Sequence, residues 1–223
     1  MIQVFTRSSV SELYDMMRGL IPADVECIRC DQFGKWWQAN DYLHHIINEG
    51  VEWVVNIDED CFVTDWDAIN ALIYHMEHKG YDYAGMPDGG VSPHRCRSWV
   101  VMNPFFTIFN AKKIRENLID KRFIDSCGYQ PNMERLKPHF VTNAYNHNNV
   151  EPFSGFFYWL AGAFKPLYLD GMTHDDGIST TLLAPSTQQF CMHSWYAREF
   201  NTDICNRNRI LSLYDEASSI SDL

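Results

Sequence analysis

The stretch Val51-Glu52-Trp53-Val54-Val55-Asn56-Ile57-Asp58-Glu59-Asp60-Cys61-Phe62-Val63 decides the fold, because an apolar run delivers acidic side chains where a strand should end. Residues i and i+2 of a strand share one face, so Asp58 and Asp60 should point the same way. Together with Glu59 they form a dense negative patch that a divalent cation would neutralise. Oxygen ligands favour Mg²⁺ or Mn²⁺, which proteins commonly hold with one or two carboxylates and the phosphates of a substrate. The stretch therefore predicts a metal site at a strand end.

The same acids could instead cap the strand and open a solvated turn, since Asp is common in turns. The flanking sequence favours the metal site, because an apolar pair, Phe62-Val63, and a helical segment follow the acids directly. A calcium loop of the EF-hand type is excluded, because that loop needs Gly at its sixth position and Val63 stands there.

Composition narrows the class of protein. The 223 residues, 46% of them hydrophobic, are enough for one sizeable core and predict one domain. The formal net charge of −11 argues against a nucleic-acid partner, whose phosphates require a basic face. An acidic protein that handles a phosphorylated substrate must therefore use a metal or local Arg and Lys side chains.

Cysteine usage and hydropathy bear on location. The seven cysteines are scattered, and the pair Cys27 and Cys30 lies on a predicted strand without a second pair, so we expect free thiols and a reducing, cytoplasmic compartment. The sequence has no uninterrupted run of about 18 apolar residues, so no transmembrane segment is predicted. The aromatic segment 155 to 164 predicts a buried helix, with a membrane-facing patch and peripheral membrane association as the alternative.

Strands and helices alternate through the first ninety residues. Strands are predicted at 2–6, 25–30, 51–57 and 81–86, with helices between them at 8–20, 36–48 and 69–78. This alternation implies a parallel, doubly wound α/β sheet. Ligands of such sheets bind outside the carboxyl ends of the strands, which here are Thr6-Arg7-Ser8, Asp31-Gln32, Asp58 to Asp60, and Asp88.

The alternation ends near residue 90. Strands are predicted at 98–102 and 105–109, a helix at 111–118, irregular recognition loops at 120–150, and a disordered tail at 216–223. The single domain would then cover residues 1–215.

This order of elements, the strand ending in Asp58-Glu59-Asp60, and a later acidic motif followed by a His resemble the GT-A fold of glycosyltransferases that use nucleotide-diphospho-sugars. The resemblance covers roughly residues 1 to 200. It is strongest to inverting enzymes, because His174-Asp175-Asp176-Gly177-Ile178-Ser179-Thr180-Thr181-Leu182-Leu183 resembles their E-D motif at a helix start, with Asp175 in place of Glu. The resemblance implies a mostly parallel sheet with a Rossmann-like nucleotide-binding half, 1–97, and an acceptor-binding half, 98–215.

The resemblance also implies catalytic and metal-binding roles. Asp176, with Asp175 beside it, would be the general base that takes the proton of the attacking hydroxyl, although either Asp could instead cap a helix at 178–183. Glu151 is the reserve candidate for the base. His193 would join Asp58 and Asp60 on Mn²⁺ or Mg²⁺, or else be an ordinary core histidine.

Substrate contacts complete the expected site. The resemblance assigns Thr6, Arg7, Asp31 and Glu59 to the donor; a carboxylate at Asp31 would accept the N3–H of uracil or thymine, which favours UDP- or dTDP-sugars. Acceptor contacts are assigned to four side chains: Arg97, Trp99, Trp159 and Trp195. Aromatic side chains at such spacing more often belong to the core, and Arg97 could equally be a solvated loop charge.

The sequence thus predicts a metal-dependent glycosyltransferase, of inverting type, that moves a sugar to a hydroxyl of a glycan or other acceptor, as in polysaccharide biosynthesis. A retaining enzyme of the same fold and a non-catalytic sugar- or nucleotide-binding module remain as alternatives. A nucleotidyltransferase is disfavoured, because the first predicted strand is not followed by a Gly-rich loop.

Overall fold

A computed structural model of the chain describes residues 1–88, 91, 98–142, 144–148 and 151–221. Its larger sheet has six strands in the order β2-β1-β3-β6-β5-β7. In chain order these are β1 (Ile2–Arg7), β2 (Cys27–Cys30), β3 (Trp53–Ile57), β5 (Tyr83–Pro87), β6 (Met102–Asn110) and β7 (Pro166–Tyr168). A smaller antiparallel sheet has the order β4-β10-β9-β8, with β4 (Cys61–Val63), β8 (Asp170–Thr173), β9 (Thr180–Leu183) and β10 (Gln189–His193). The protein is therefore a mixed α/β protein.

Helices cover both faces of the larger sheet. The helices are α1 (Ser11–Gly19), α2 (Ala39–Asn48), α3 (Trp66–Lys79), α4 (Ala111–Glu116), α5 (Lys121–Asp125), α6 (Ser154–Ala163) and α7 (Ile204–Ser221). One core contains buried side chains of α1, α3 and α7, and the other contains those of α2, α4 and α6. Adjacent residues of a strand enter different cores, as Val4 and Phe5 of β1 do, because strand side chains alternate between faces.

The predicted strands and helices are confirmed as far as β5, except that the short strand β4 follows β3 before α3. The larger sheet is mixed, with both parallel and antiparallel pairings. β1 pairs in parallel with β2 and β3, and β5 pairs in parallel with β7. The exception is β6, which lies antiparallel between β3 and β5. In the larger sheet, β3 and the next strand along the chain, β5, are therefore separated by β6, which comes later in the chain.

The two predicted halves do not coincide with the two sheets. β4 lies in the first predicted half but belongs to the smaller sheet, while β6 and β7 lie in the second half and complete the larger sheet. Within 120–150 the structure also has α5 and a 3-10 turn at Pro131–Leu136, which the predicted irregular loop did not include.

Two further predictions are corrected. Residues 180–183 form β9 where a helix from 178 to 183 was predicted, because Thr180 and Thr181 are β-branched and pair with β8 and β10. The predicted disordered tail is helical as far as Ser221, since Leu213 and Ala217 of α7 are buried. The buried helix predicted at 155–164 is confirmed as α6.

Other sequence expectations concern thiols and membranes. The six cysteines of the described residues are free thiols, including Cys27 and Cys30 of β2. None of the helices in the described part of the chain is long and apolar enough to cross a membrane.

Candidate active site

The acidic motif is the link between the two sheets. The chain leaves the larger sheet at the end of β3, passes through Asp58-Glu59-Asp60 and enters β4 of the smaller sheet. The amide of Asp58 donates to the carbonyl of Phe105 at 2.8 Å, and the amide of Ser194 donates to the carbonyl of Asp60 at 3.0 Å. The link is therefore tied to one strand of each sheet, β6 and the end of β10.

A cavity of about 930 Å³ lies against this link. The larger sheet contributes Arg7, Ser8 and Ser9 from the end of β1, with Gly34 and Trp36 from the segment after β2. The smaller sheet and its connections contribute a second set of lining residues: Thr173, Gly177, Ile178, His193, Trp195, Tyr196, Ala197, Arg198 and Glu199. Asp58, Glu59 and Asp60 line the cavity between these two sets, and its volume is within the range of small-molecule sites.

Asp58 is held in an environment that disfavours its charge. Burial is the main cause that raises the pKa of Asp58 to about 6, Arg7 opposes it, and Asp60 raises it further. Arg7 Nη2 lies 3.8 Å from Asp58 Oδ2, while Asp58 Oδ1 is buried and has no hydrogen-bond partner among the described residues. A buried acceptor without a partner is uncommon, and a cation would satisfy it.

Asp60 is in the opposite situation. Burial alone would raise the pKa of Asp60, but His193 and Ser194 hold it below its usual value. His193 Nε2 lies 3.3 Å from Asp60 Oδ1, and the hydroxyl of Ser194 donates to Oδ2 at 3.1 Å. Asp60 is therefore ionised and positioned.

The ring of His193 is fixed by two aromatic side chains. It stacks on Phe105 with centroids 4.1 Å apart and an interplanar angle of 4°, and Trp195 meets it edge-on at 4.4 Å. His193 Nδ1 is buried without a hydrogen-bond partner within the described ranges. His193 therefore packs in the core and also lines the cavity, and its role as a metal ligand stays a prediction.

The fit of these residues to a divalent metal can be judged from their donor atoms. Asp58 and Asp60 supply carboxylate oxygens, and Asp58 Oδ1 and His193 Nδ1 are among the buried side-chain atoms that lack hydrogen-bond partners in the described part of the chain. No group of three or more His, Cys, Asp or Glu side chains of those residues converges into a complete metal cage. Two carboxylates that share the ion with a substrate diphosphate fit Mg²⁺ or Mn²⁺ without such a cage.

Glu59 organises the loop after β1. Its carboxylate accepts from the hydroxyls of Ser8 at 2.7 Å and Ser9 at 2.8 Å, and from the amides of Ser9 at 2.8 Å and Val10 at 2.7 Å. The sequence had assigned Glu59 to the nucleotide-sugar donor, whereas in the structure its carboxylate accepts these four bonds from the protein itself. Its effect on a ligand would be to hold Ser8 and Ser9 in place at the cavity.

The other predicted donor residues divide between cavity and core. Arg7 lines the cavity, whereas Thr6 is fully buried and its hydroxyl lies 3.7 Å from Cys27 Sγ. Asp31 is exposed in a 3-10 turn after β2 and does not line the cavity. Asp88, another strand-end acid, is buried and accepts from Asn103 Nδ2 at 2.9 Å, which positions Asn103 in the cavity wall.

Asp176 lies in a turn between β8 and β9. Burial would raise its pKa, but bonds from Ser179, from the amide of Ile178 and from Arg209 lower the pKa of Asp176 to about 2. Arg209 Nη1 lies 3.2 Å from its Oδ2, and the hydroxyl of Ser179 donates to the same oxygen at 2.6 Å. Asp175 is exposed, and neither Asp lines the cavity, whereas Glu151 does.

Two of the four side chains predicted to contact the acceptor lie in the core. Trp99 is 1% exposed and packs against Tyr168, and Trp159 is 7% exposed and packs against Phe164, so both are core side chains. Arg97 lies outside the described residues. Trp195 does line the cavity, with its indole Nε1 donating to Thr180 Oγ1 at 3.0 Å.

Two exposed aromatic side chains at the cavity were missed from sequence. Trp36 is 49% exposed on a 3-10 turn, and Tyr196 is 59% exposed directly after Trp195. Gly34 brings the Trp36 turn close to β1, because a Cβ there would lie 3.2 Å from the carbonyl of Ser8. The available signal was an aromatic residue in a predicted loop, which by itself does not distinguish a cavity wall from the core.

Comparisons with known proteins do not assign a family. No protein-family model matches the chain, and no curated protein matches it. Among solved structures, that of A197 from STIV is similar, with 13% sequence identity, a TM-score of 0.45, and coverage of 85% of this chain and 92% of that chain. A likeness at this level assigns neither a family nor a function.

Proposed function

We propose that the protein is a metal-dependent glycosyltransferase of GT-A-like fold that moves a sugar from a nucleotide-diphospho-sugar to a hydroxyl of a glycan or other acceptor, with inversion. The observation that carries the proposal is the pairing of Asp58 and Asp60 on the link between the sheets, against a cavity of about 930 Å³. The parallel pairing of β1 with β2 and β3 in a mixed α/β protein supports the resemblance from which the fold was inferred.

Asp58 and Asp60 would hold Mn²⁺ or Mg²⁺, with His193 beside them. When bound, the ion would neutralise charge on the departing nucleotide diphosphate. Arg7 would add a second positive group to the diphosphate, since its Nη1 is buried and has no hydrogen-bond partner among the residues that the structure describes. Ser8 and Ser9, held by Glu59, would fix the loop on which the diphosphate rests.

The nucleotide base is assigned to the Trp36 side of the cavity, because this exposed ring follows β2 and can stack on a pyrimidine. UDP- or dTDP-sugars remain the favoured donors. The predicted contact between Asp31 and the base N3–H would require the base to extend beyond the cavity, because Asp31 is on the same connection after β2 but does not line the cavity.

For the general base the geometry favours Glu151 over Asp176. Glu151 lines the cavity and Asp176 does not. The carboxylate of Asp176 instead accepts bonds from Ser179 and Arg209. A pKa of about 2 also makes Asp176 a weak base at neutral pH. Asp176 would then shape the turn that carries Gly177 and Ile178 to the cavity.

The test is release of nucleotide diphosphate from a panel of nucleotide sugars with Mn²⁺. We expect turnover by the wild-type protein, its loss in Asp58→Asn and Asp60→Asn, and its retention in Asp24→Asn, a matched change at an exposed site. Full activity in Asp60→Asn would contradict the proposal. Glu151→Gln should abolish transfer, and Asp176→Asn should leave most of it.

A non-catalytic module is the second candidate, favoured by the engaged state of Asp176. Calorimetry with UDP, with and without Mn²⁺, separates the two when it is combined with the turnover assay. Metal-dependent binding of UDP without turnover of any donor would favour the module. The anomeric configuration of the product, determined by NMR, separates an inverting from a retaining enzyme.

A further inference from the structure

Tyr196 is a large aromatic side chain that lies outside the core, at the cavity. It lines the cavity and is 59% exposed. Ile178, on the turn between β8 and β9, lines the same cavity and is 46% exposed. Exposed apolar side chains grouped in a concave surface are typical of a binding site.

The backbone that presents Tyr196 is strained. Trp195 has φ of 60° and Tyr196 has φ of 63°, so two consecutive bulky residues adopt the left-handed conformation that favours glycine. Such conformations persist only where the surroundings hold them, and they concentrate at functional sites.

Helix α7 supplies the groups that hold this segment. Asn206 Nδ2 donates to the carbonyl of Tyr196 at 2.9 Å, and Arg209 Nη2 donates to the carbonyl of Trp195 at 3.1 Å. The indole of Trp195 is fixed separately through its bond to Thr180. Both peptide carbonyls are therefore fixed from outside the segment, which leaves the Tyr196 ring directed away from the core.

The chemistry around Tyr196 selects the class of ligand. An aromatic face carries partial negative charge and attracts the polarised C–H groups on one face of a pyranose ring. Arg198 and Glu199, both exposed and both lining the cavity, can exchange hydrogen bonds with sugar hydroxyls. A purely apolar ligand would instead desolvate these two charges without compensation.

We propose that residues 195–199 form a carbohydrate-binding platform on which a pyranose ring stacks against Tyr196. The inference deepens the proposed function and rests on it for one point, namely that the stacked ring is the acceptor. Trp36, assigned above to the nucleotide, lies on a 3-10 turn after β2 of the larger sheet, whereas the platform follows β10 of the smaller sheet. The acidic link lies between these two contributions to the cavity wall.

The platform can be tested without a donor or a metal. Ligand-observed NMR would measure binding of a panel of free mono- and oligosaccharides to the wild-type protein and to variants. We expect Tyr196→Ala to weaken binding by about tenfold and Tyr196→Phe to keep it within about threefold, because the aromatic face is retained. Trp37→Ala is the matched control, since Trp37 is also 59% exposed but lies outside the cavity lining.

A second variant tests the strained backbone. Asn206→Ala removes the bond to the carbonyl of Tyr196 and leaves the ring itself intact, so it should weaken sugar binding by a smaller factor, about threefold. Circular dichroism and thermal melting confirm that each variant is folded. Unchanged binding in a folded Tyr196→Ala protein, or no binding of any sugar by the wild-type protein, would overturn the platform.

Failure of the platform and failure of the proposed function give different results. Sugar binding that depends on Tyr196, together with no Mn²⁺-dependent binding of UDP, would support the platform and reject the transferase. Turnover that depends on Asp58 and Asp60 but is indifferent to Tyr196→Ala, at every acceptor concentration, would keep the transferase and reject the platform.

Discussion

Asp58 and Asp60 stand two residues apart and experience opposite electrostatic environments. Burial raises the pKa of Asp58 to about 6, with Arg7 opposing the shift. Burial acts on Asp60 in the same direction, but His193 and Ser194 more than compensate and lower its pKa. A bound cation would favour the charged form of both acids, and Asp58 has the larger change to make.

The raised pKa of Asp58 predicts a pH dependence of stability. A group with a folded pKa above its unfolded value contributes stability at low pH, and that contribution is lost as pH rises through the folded pKa. As pH rises from about 4 to about 6, ionisation of Asp58 should therefore lower the free energy of unfolding by on the order of 1–3 kcal/mol. Melting curves across this range should show the loss in the wild-type protein and not in Asp58→Asn.

Mn²⁺ supplies the control for that prediction. At pH 7 it should raise the melting temperature of the wild-type protein and have little effect on Asp58→Asn, because the ion stabilises the ionised carboxylate. Equal pH slopes in the two proteins would show that Asp58 is not the group responsible.

Glu59 is a structural acid between the two predicted metal ligands, Asp58 and Asp60. Replacement by Gln keeps its shape but puts an NH₂ donor in place of an oxygen that accepts bonds. We expect Glu59→Gln to lower the free energy of unfolding by about 1–3 kcal/mol in urea titrations, because buried donors lose their acceptor. Glu52→Gln, at an exposed glutamate, should have a small effect, and equal effects would refute the assignment.

At the scale of elements, α7 connects the core to the cavity. Its buried residues Ile210 and Leu213 belong to the same core as β4 and β10. Its polar residues Asn206 and Arg209 hold the Trp195–Tyr196 segment and the Asp176 turn. His174, before that turn, adds a further tie to α7 through Glu216, with His174 Nε2 3.2 Å from the carboxylate. The helix therefore positions cavity residues without lining the cavity.

This role predicts a difference between two apolar residues of α7. Leu213→Ala should lower the free energy of unfolding by about 2–5 kcal/mol, because Leu213 is 2% exposed and its truncation leaves a cavity. Ile220→Ala should cost much less, since Ile220 is 37% exposed. Chemical denaturation of both variants measures the difference, and similar losses would mean that α7 is not docked as described.

At the scale of the whole molecule, the net charge of −11 opposes every anionic ligand. Local cations at the cavity must overcome this field, and Arg7 supplies one of them. Salt at physiological ionic strength largely screens the repulsion between exposed charges that are more than about 8 Å apart.

The charge predicts how binding depends on ions. UDP should bind at least about tenfold more tightly with Mn²⁺ than without it, and added salt should not weaken the metal-free binding as it would at a basic site. An acidic protein neutralises few phosphates and therefore releases few counterions from a nucleic acid. Fluorescence anisotropy should accordingly detect no association with a single-stranded oligonucleotide at about 150 mM salt. Tight, salt-sensitive oligonucleotide binding would contradict this account.

Much of the larger sheet could be predicted from sequence, whereas its completion could not. Apolar periodicity in the sequence predicts β1, β3, β5 and the helices α1 to α3, and the predicted bounds lie within a few residues of the observed ones. The insertion of β6 between β3 and β5 leaves no local pattern, because strand order depends on contacts between distant segments. Likewise, the sequence 180–183 has an apolar pattern too short to distinguish a helix from a strand without its neighbours.

The sequence by itself determined the alternation of strands and helices, the acidic end of the third strand and the overall charge, since side-chain sterics and periodic burial act between near neighbours. Only the tertiary structure decided that Trp99 and Trp159 are core while Trp36 and Tyr196 face the cavity. It also decided that Glu59 and Asp176 are engaged by other residues, whereas Asp58 Oδ1 has no partner in the described ranges. Burial and hydrogen-bond partners are set by segments far apart in the chain, and no local pattern specifies which segments meet.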